Sequence, residues 1–583
     1  MATVLESVPN PAAQSLDPPL SPFSQVVRAW FSRSFAEPTP VQARGWREIS
    51  AGRHALLVAP TGSGKTLAAF LYGIDRLLIE ERANEGAGAA SEPGVRVLYV
   101  SPLKALAYDV ERNLTSPLLG IAAVARDLGI KIVPPRVAIR TGDTPPTERR
   151  DQARNPPAIW VTTPESLFLV LSSAARAMLR TVTTVIVDEV HSLAPTKRGA
   201  HLGLSLERLA LLAHSDPQRI GLSATARPLA EVARYLGGDR SVAIVDAQAR
   251  PALDVEIRSV AKPMETHDER RELRDGTRAA RDATGEGHAG GLVAENENLA
   301  ASGAKRGAQD DSVEDSELDE DPPTDGLLDA ENSLSAPRPT AGRYAALVPR
   351  LLEDIEAHQS TIVFVNSRGM CERLTQQLNE AVGDSRVRAH HGSLSQAERR
   401  AVEEALKLGS LRAIVATSSL ELGIDMGAVD LVVLVESPGS VARGLQRVGR
   451  AGHGVGRRSK GVFYPKHQAD LLEMCLVAKG MEQGEIESLR VPMNPLDVLA
   501  QHLVAMTLAD TVQVAHALAL AKRAASFRGL SMEVLHTALR MLSEGVTSDG
   551  PLPVRPRLVW NRELDTIRAR RGAAPVLYAN AGT

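Results

Sequence analysis

Two spacings of apolar residues alternate along the chain. Short continuous apolar runs at 54–59, 95–100, 137–140, 159–162, 185–187 and 220–222 are separated by longer stretches of helical periodicity, as expected for βα units that build a parallel sheet. A second series at 362–365, 387–389, 414–416, 431–435 and 462–464 repeats the pattern. Each run of the first series ends in a small or polar cluster, at 60–66, 101–104, 141–143, 163–166, 188–191 and 223–225. Open parallel sheets gather ligands at the carboxyl ends of their strands, so these clusters are expected along one edge. Before the first run, Trp30 and Phe31 near Val26 and Val27 predict an amphipathic helix packed on the first domain. Beyond about residue 480 the pattern predicts helices at 496–508, 512–525 and 532–542, then a proline-broken extended piece at 552–560. Three helices and a β-like wing make a winged-helix module.

The expected fold class is therefore α/β. It has a flexible N-terminus (1–19), parallel-sheet domains at 20–245 and 246–480, a winged helix at 481–560, and at 561–583 the cut-short start of a further domain. Within the second sheet domain, about 262–340, aliphatics give way to Glu, Asp, Gly, Arg and Ala. Such a segment cannot offset its ordering entropy by burial and is expected to be disordered, its acidic run solvated.

Composition changes this picture in three places. The formal charge of −3 looks indifferent to nucleic acid, but residues 310–331 hold eleven acids and no base, and without those eleven negative charges the chain carries +8. Two cysteines, Cys371 and Cys475, exclude a disulfide framework, a four-cysteine zinc site and an iron–sulfur cluster; both are expected as packing thiols. No apolar run approaches about 18 residues and the N-terminus lacks a signal-peptide core, so a soluble, cytoplasmic protein with no membrane partner is expected.

The chemistry begins at Ala59-Pro-Thr-Gly-Ser-Gly-Lys-Thr66, directly after an apolar strand. Its glycines let backbone N–H groups turn inward around phosphates, Thr61, Gly62, Ser63 and Gly64 forming the loop. Lys65 would reach the β and γ oxygens and Thr66 would ligate Mg²⁺. The run Val185-Ile-Val-Asp-Glu-Val-His191 delivers Asp188 as a second Mg²⁺ ligand and Glu189 to orient or deprotonate the attacking water. His191 has two readings, coupling to the other domain or local packing. In Gln446-Arg-Val-Gly-Arg-Ala-Gly-His453, Arg450 is expected to complete the nucleotide site from the second domain, with Arg447 in support. ATP and Mg²⁺ are the expected cofactors.

These residues sit in an ordered series: Phe35, Pro38-Thr-Pro-Val-Gln42, the phosphate loop, Ser101-Pro-Leu-Lys-Ala-Leu106, Thr141-Gly-Asp143, Thr162-Thr-Pro-Glu-Ser166, Asp188-Glu-Val-His191, Ser223-Ala-Thr225, Phe364-Val-Asn-Ser-Arg368, His391-Gly-Ser393, Ala416-Thr-Ser-Ser-Leu-Glu-Leu-Gly-Ile-Asp425 and Gln446 to His453. The series resembles superfamily 2 DEAD/DEAH-like helicases, and in detail their large helicase-related (Lhr-type) group. The resemblance implies two RecA-like domains. It implies that Gln42 and Phe35 hold adenine, that Gly423 and Asp425 approach the nucleotide, and that Ser223 and Thr225 join His191 in coupling hydrolysis to movement. Lys104, Thr141, Thr163, Arg368, Ser393 and Thr417 would line a nucleic-acid track. Aromatics are only 3% of the chain, too few for extensive base stacking, which agrees with backbone-directed contacts. The implied activity is a 3′→5′ ATP-dependent helicase or translocase in genome maintenance, working as a monomer on single-stranded DNA or DNA/RNA hybrids. Two other readings stand beside it: a nucleic-acid clamp or annealing factor that binds ATP without unwinding, and a DEAD-box-type RNA helicase. Asp-Glu-Val-His, and Gln446 where that last group usually has histidine, weigh against the RNA helicase.

Overall fold

The computed structural model describes residues 18–60, 62–87, 92–224, 226–248, 252–259, 346–383, 386–421, 429–452, 458–545 and 555–579. Thr61, Thr225, Gly423, Asp425 and the acidic insert lie outside them.

The first domain is a seven-stranded sheet in the order β3-β4-β2-β5-β6-β1-β7. The strands are β1 (His54–Val58), β2 (Val97–Val100), β3 (Val137–Arg140), β4 (Ile159–Thr162), β5 (Thr184–Val187), β6 (Gln218–Ser223) and β7 (Val242–Asp246), and every pairing is parallel. β1, β2 and β4 are continuous apolar runs because helices cover both faces of a parallel sheet. One face packs under the helices Gln25–Ser34, Pro40–Ser50, Lys65–Ala87 and Lys104–Asp127, and the other under Pro164–Leu171 and Lys197–Leu212. Trp30 and Phe31 are buried in that first layer, as the sequence predicts. Register fixes the functional edge: Val58 pairs with Ser223 and Val100 with Val187, so the phosphate loop, Ser223 and Asp188 follow strand ends lying side by side.

The second sheet runs β10-β11-β9-β12-β13-β8. It is built from β8 (Leu253–Ile257), β9 (Thr361–Phe364), β10 (Val387–His390), β11 (Ala413–Ala416), β12 (Leu431–Val435) and β13 (Ser459–Tyr464), all parallel. Two of its features repeat the logic of the first: a Ser395–Glu398 capping box opens the helix Gln396–Lys407, and Ser440 caps the helix Val441–Val448. Cys371 is buried there, but Cys475 is exposed on the helix Gln468–Gln483, against the packing role expected for it.

The last domain is a three-stranded antiparallel sheet, β14 (Val512–Gln513), β16 (Thr566–Ala569) and β15 (Leu558–Asn561), with the helices Leu496–Met506, Val514–Arg523 and Met532–Glu544. This corrects two expectations. The helix expected from 512 opens as a strand, because Val512 and Gln513 pair with Ile567 and Thr566. The described residues 561–579 do not begin a new domain: β16 completes the wing, and Ala573 and Leu577 of the helix Ala573–Ala579 enter the same core. Among the described residues no helix is long and apolar enough to cross a membrane.

Candidate nucleotide and nucleic-acid site

The phosphate loop leaves β1 and enters its helix at Lys65 with Gly62 at φ +77° and Gly64 at φ +82°. Only glycine adopts these angles freely, and a Cβ on Gly64 would lie 2.5 Å from Gln42 Nε2. The segment before the loop is latched to it. Thr39 Oγ1 donates to Ser63 O (2.9 Å) and Gln42 Nε2 to Gly64 O (3.4 Å), while Gln42 Oε1 accepts from Thr39 N (3.0 Å). Phe35 packs on Phe31 at 4.8 Å and on the edge of Trp30 at 5.8 Å, with the ring 42% exposed.

Lys65 Nζ donates to Ala59 O (2.6 Å) and Pro60 O (2.7 Å). Burial lowers its pKa; Glu189 and Asp188 oppose that shift and Arg450 adds to it. Asp188 follows β5 and is pushed up to about 6, first by burial and then by the neighbouring Glu189. Burial also raises Glu189, against Lys65 and Arg450, which favour its ionised form. Glu189 is left-handed (φ 44°, ψ 44°), a conformation costing about 1–2 kcal/mol outside glycine, and its N–H donates to Asp188 Oδ1 at 2.8 Å. Two adjacent buried carboxylates, both driven toward protonation, are a donor set that a divalent cation would relieve. The Thr66 hydroxyl, one residue past Lys65, stands on the same helix N-terminus.

The second sheet domain reaches this cluster through the segment after β12. Arg450 is buried and donates from Nη2 to Glu421 O at 2.7 Å, and its charge bears on both Lys65 and Glu189. Arg447 is also buried but tied within its own domain, to Glu421 Oε1 (2.7 Å from Nε), to Asn366 Oδ1 (3.1 Å) and over the Phe364 ring at 5.3 Å. His191 bridges the domains. Its Nδ1 lies 3.1 Å from Ser223 Oγ and its Nε2 2.7 Å from Gln446 Nε2. Burial lowers its pKa to about 4, so the ring is neutral near pH 7. A Gln446 amide N–H donating to Nε2 places the ring proton on Nδ1, facing Ser223.

The residues expected on the nucleic-acid track divide by exposure. Lys104 is exposed and paired with Asp143 Oδ1 at 2.8 Å; Arg368 and Ser393 are exposed and Thr417 is half-buried. Thr141 and Thr163 are buried, their hydroxyls accepting from Asp143 N and Ser166 N within their own loops. Arg198 forks onto Glu165 and donates to Pro102 O, tying the loops after β2 and β4 together. Sequence reasoning missed Arg198, and also Tyr99, whose hydroxyl donates to Asp188 Oδ2. A tyrosine inside the apolar run Val97–Val100 was the only signal for the second.

Residues 39–232 match the DEAD/DEAH box helicase family, 344–454 the helicase conserved C-terminal domain, and 479–583 the winged helix domain of large helicase-related proteins. The chain is 43% identical over 599 residues to the Lhr helicase/probable uracil glycosylase of Mycolicibacterium smegmatis, covering 97% of this chain and 34% of that protein. Against the ATP-dependent helicase Lhr-Core of Methanocaldococcus jannaschii the identity is 35%, covering 96% of this chain and 56% of the relative. The solved structure of Mycobacterium smegmatis helicase Lhr bound to ssDNA and AMP-PNP superposes with a TM-score of 0.77 at 44% identity, over 97% of this chain and 63% of that one. The chain thus spans from a third to under two thirds of the length of these relatives. With two parallel-sheet domains, the ordered motifs on their facing edges and a winged helix of matching type, it belongs to the large helicase-related family of superfamily 2 helicases.

Proposed function

We propose that the chain is an ATP-dependent motor on nucleic acid, hydrolysing ATP between its two sheet domains and using their closure to step along or separate strands. The observation that carries this reading is the contact of Gln446 Nε2 with His191 Nε2 at 2.7 Å, which sets the second-domain segment bearing the buried Arg450 against the edge that holds Lys65 and Glu189. In this reading the phosphate loop and Lys65 hold the phosphates, Gln42 and the exposed face of Phe35 select adenine, and Glu189 handles the attacking water. Arg450 meets the charge developing on the γ-phosphoryl group, a contribution of about 10³–10⁵ in rate, and Arg447 positions Glu421. Thr66 and Asp188 would hold Mg²⁺, which when bound neutralises charge on the β and γ oxygens. The contact from Ser223 through His191 to Gln446 would couple hydrolysis to movement.

Lys104, Arg368, Ser393 and Thr417 would contact the sugar-phosphate backbone, giving sequence-tolerant, salt-sensitive binding. The relative solved with ssDNA and AMP-PNP supports single-stranded DNA as substrate; DNA/RNA hybrids, 3′→5′ polarity, a monomeric cytoplasmic enzyme and a role in genome maintenance complete the proposal. The test is ATP turnover with and without matched single-stranded DNA, RNA and hybrid, followed by separation of a forked duplex. Stimulated turnover is expected, lost on Lys65→Ala or Arg450→Ala with strand affinity kept. Turnover indifferent to every strand would defeat the motor reading, and strand binding without separation would leave a clamp.

A further inference from the structure

Tyr99 is fully buried in the middle of an apolar strand and no step above uses it. β2 lies beside β5 in parallel register, Tyr99 opposite Ile186 and Val100 opposite Val187, so Tyr99 stands one strand over from the end that releases Asp188. Its ring stacks on Phe70 with centroids 5.1 Å apart and planes 24° from parallel. Phe70 belongs to the helix that begins at Lys65, so the ring is clamped between the sheet and the phosphate-loop helix. From there the hydroxyl donates to Asp188 Oδ2, while Asp188 Oδ1 accepts from Glu189 N at 2.8 Å.

We infer that Tyr99 is a positioning residue for Asp188, holding its carboxylate in the orientation that receives the divalent cation accompanying ATP. Two observations carry this. The ring alone would fill its site equally well as phenylalanine, so the hydroxyl is explained by its bond to Asp188 rather than by packing. An aspartate side chain turns easily about its last torsion, and one donor on each oxygen fixes that torsion while leaving each oxygen a lone pair for a metal.

The inference rests on the ATP-site reading above, and the experiment separates the two. A fluorescent ATP analogue is titrated onto the full chain with increasing Mg²⁺ and in EDTA, for the wild type, Tyr99→Phe and Asp188→Asn, with melting temperatures recorded alongside. Loss of a group that orients a metal ligand lowers metal affinity by about 10–100-fold. Tyr99→Phe is expected to raise the half-saturating Mg²⁺ at least severalfold while metal-free nucleotide affinity stays within about twofold. A Tyr99→Phe protein with wild-type Mg²⁺ dependence overturns the inference while the ATP-site reading stands. So does one that loses nucleotide affinity equally with and without metal, since that loss is purely structural. A wild type whose nucleotide binding ignores Mg²⁺ defeats the ATP-site reading and this inference together.

Discussion

The first sheet domain meets its two neighbours in opposite ways. Against the winged helix it shares a hydrophobic core, in which Phe168, Ala200 and Leu204 pack with Leu499, Leu503, Ala517 and Phe527. His201 and His502 meet edge to face with centroids 4.5 Å apart, each also edge to face with Phe168, and Glu207 reaches across to Arg523 at 3.3 Å. Against the second sheet domain the contacts are mostly polar. They include Gln446 on His191, Arg400 over the Tyr108 ring at 4.9 Å, and Arg112 with Glu404 at 3.3 Å, both side chains about 60% exposed. Leu106 and the half-buried Leu103 are apolar exceptions, packed against the second domain's core. A shared core has no cheap open state, whereas exposed polar pairs exchange with water at little cost. The contrast implies that the winged helix travels with the first domain while the nucleotide cleft opens and closes.

The largest break in that contrast is expected at Glu207. Its carboxylate is 1% exposed and holds Arg219 at 2.8 Å and Arg240 at 3.0 Å, themselves 3% and 8% exposed, besides Arg523. Glu207→Ala would leave the buried Arg219 without its carboxylate partner and take one carboxylate from Arg240, which keeps Asp216, a loss of about 3–5 kcal/mol. Urea denaturation should show it as a lowered midpoint with domain and winged helix unfolding together. A loss under about 1 kcal/mol would mean the network does not fasten the two.

A smaller effect should come from pH. Burial lowers His201 to about 4, with Arg208 and Arg198 pressing the same way and Glu165 opposing, and it holds His502 well below its ordinary value, aided by His201 and Arg208. The unfolded chain takes up these protons below about 6.5 and the folded chain does not until far lower, so stability rises with pH across that window. Acidification from pH 7 to 5 should cost on the order of 1 kcal/mol per histidine per pH unit below 6.5. His502→Phe should flatten the slope of urea midpoint against pH. An unchanged slope would remove the histidine pair from the interface's energetics.

The sequence made the nucleotide edge legible because its signals are local. A strand, a glycine loop and a lysine within one turn of helix speak through neighbours in the chain, as does Asp188-Glu189 after an apolar run. What escaped is long-range or weakly patterned. β7 and β8 are edge strands, half-exposed along their length, so no strong apolar run marked them. The wing strand β16 follows the turn after Asn561, and only its pairing with β15 reveals that the chain has not entered a new domain. The bond of Tyr99 to Asp188, the contact of Gln446 with His191 and the edge-to-face contact of His201 with His502 join residues 89, 255 and 301 positions apart. Each is an ordinary residue in its own segment and acquires a role only when the topology brings its partner.

The smallest effect is the one that tests mobility directly. Arg400 is exposed on the helix Gln396–Lys407 and its guanidinium covers the Tyr108 ring, so it closes the cleft from the side of the second domain. An exposed cation–π contact is worth about 0.5–1 kcal/mol. Because the closed and open arrangements leave the folded domains intact, Arg400→Ala should not move the melting temperature measurably. The same energy reappears in closure, raising the half-saturating ATP concentration about two- to fivefold in strand-stimulated turnover. If Arg400→Ala instead lowered stability as far as Glu207→Ala does, the cleft would be as firmly welded as the winged-helix interface, and the second domain would have no freedom to move.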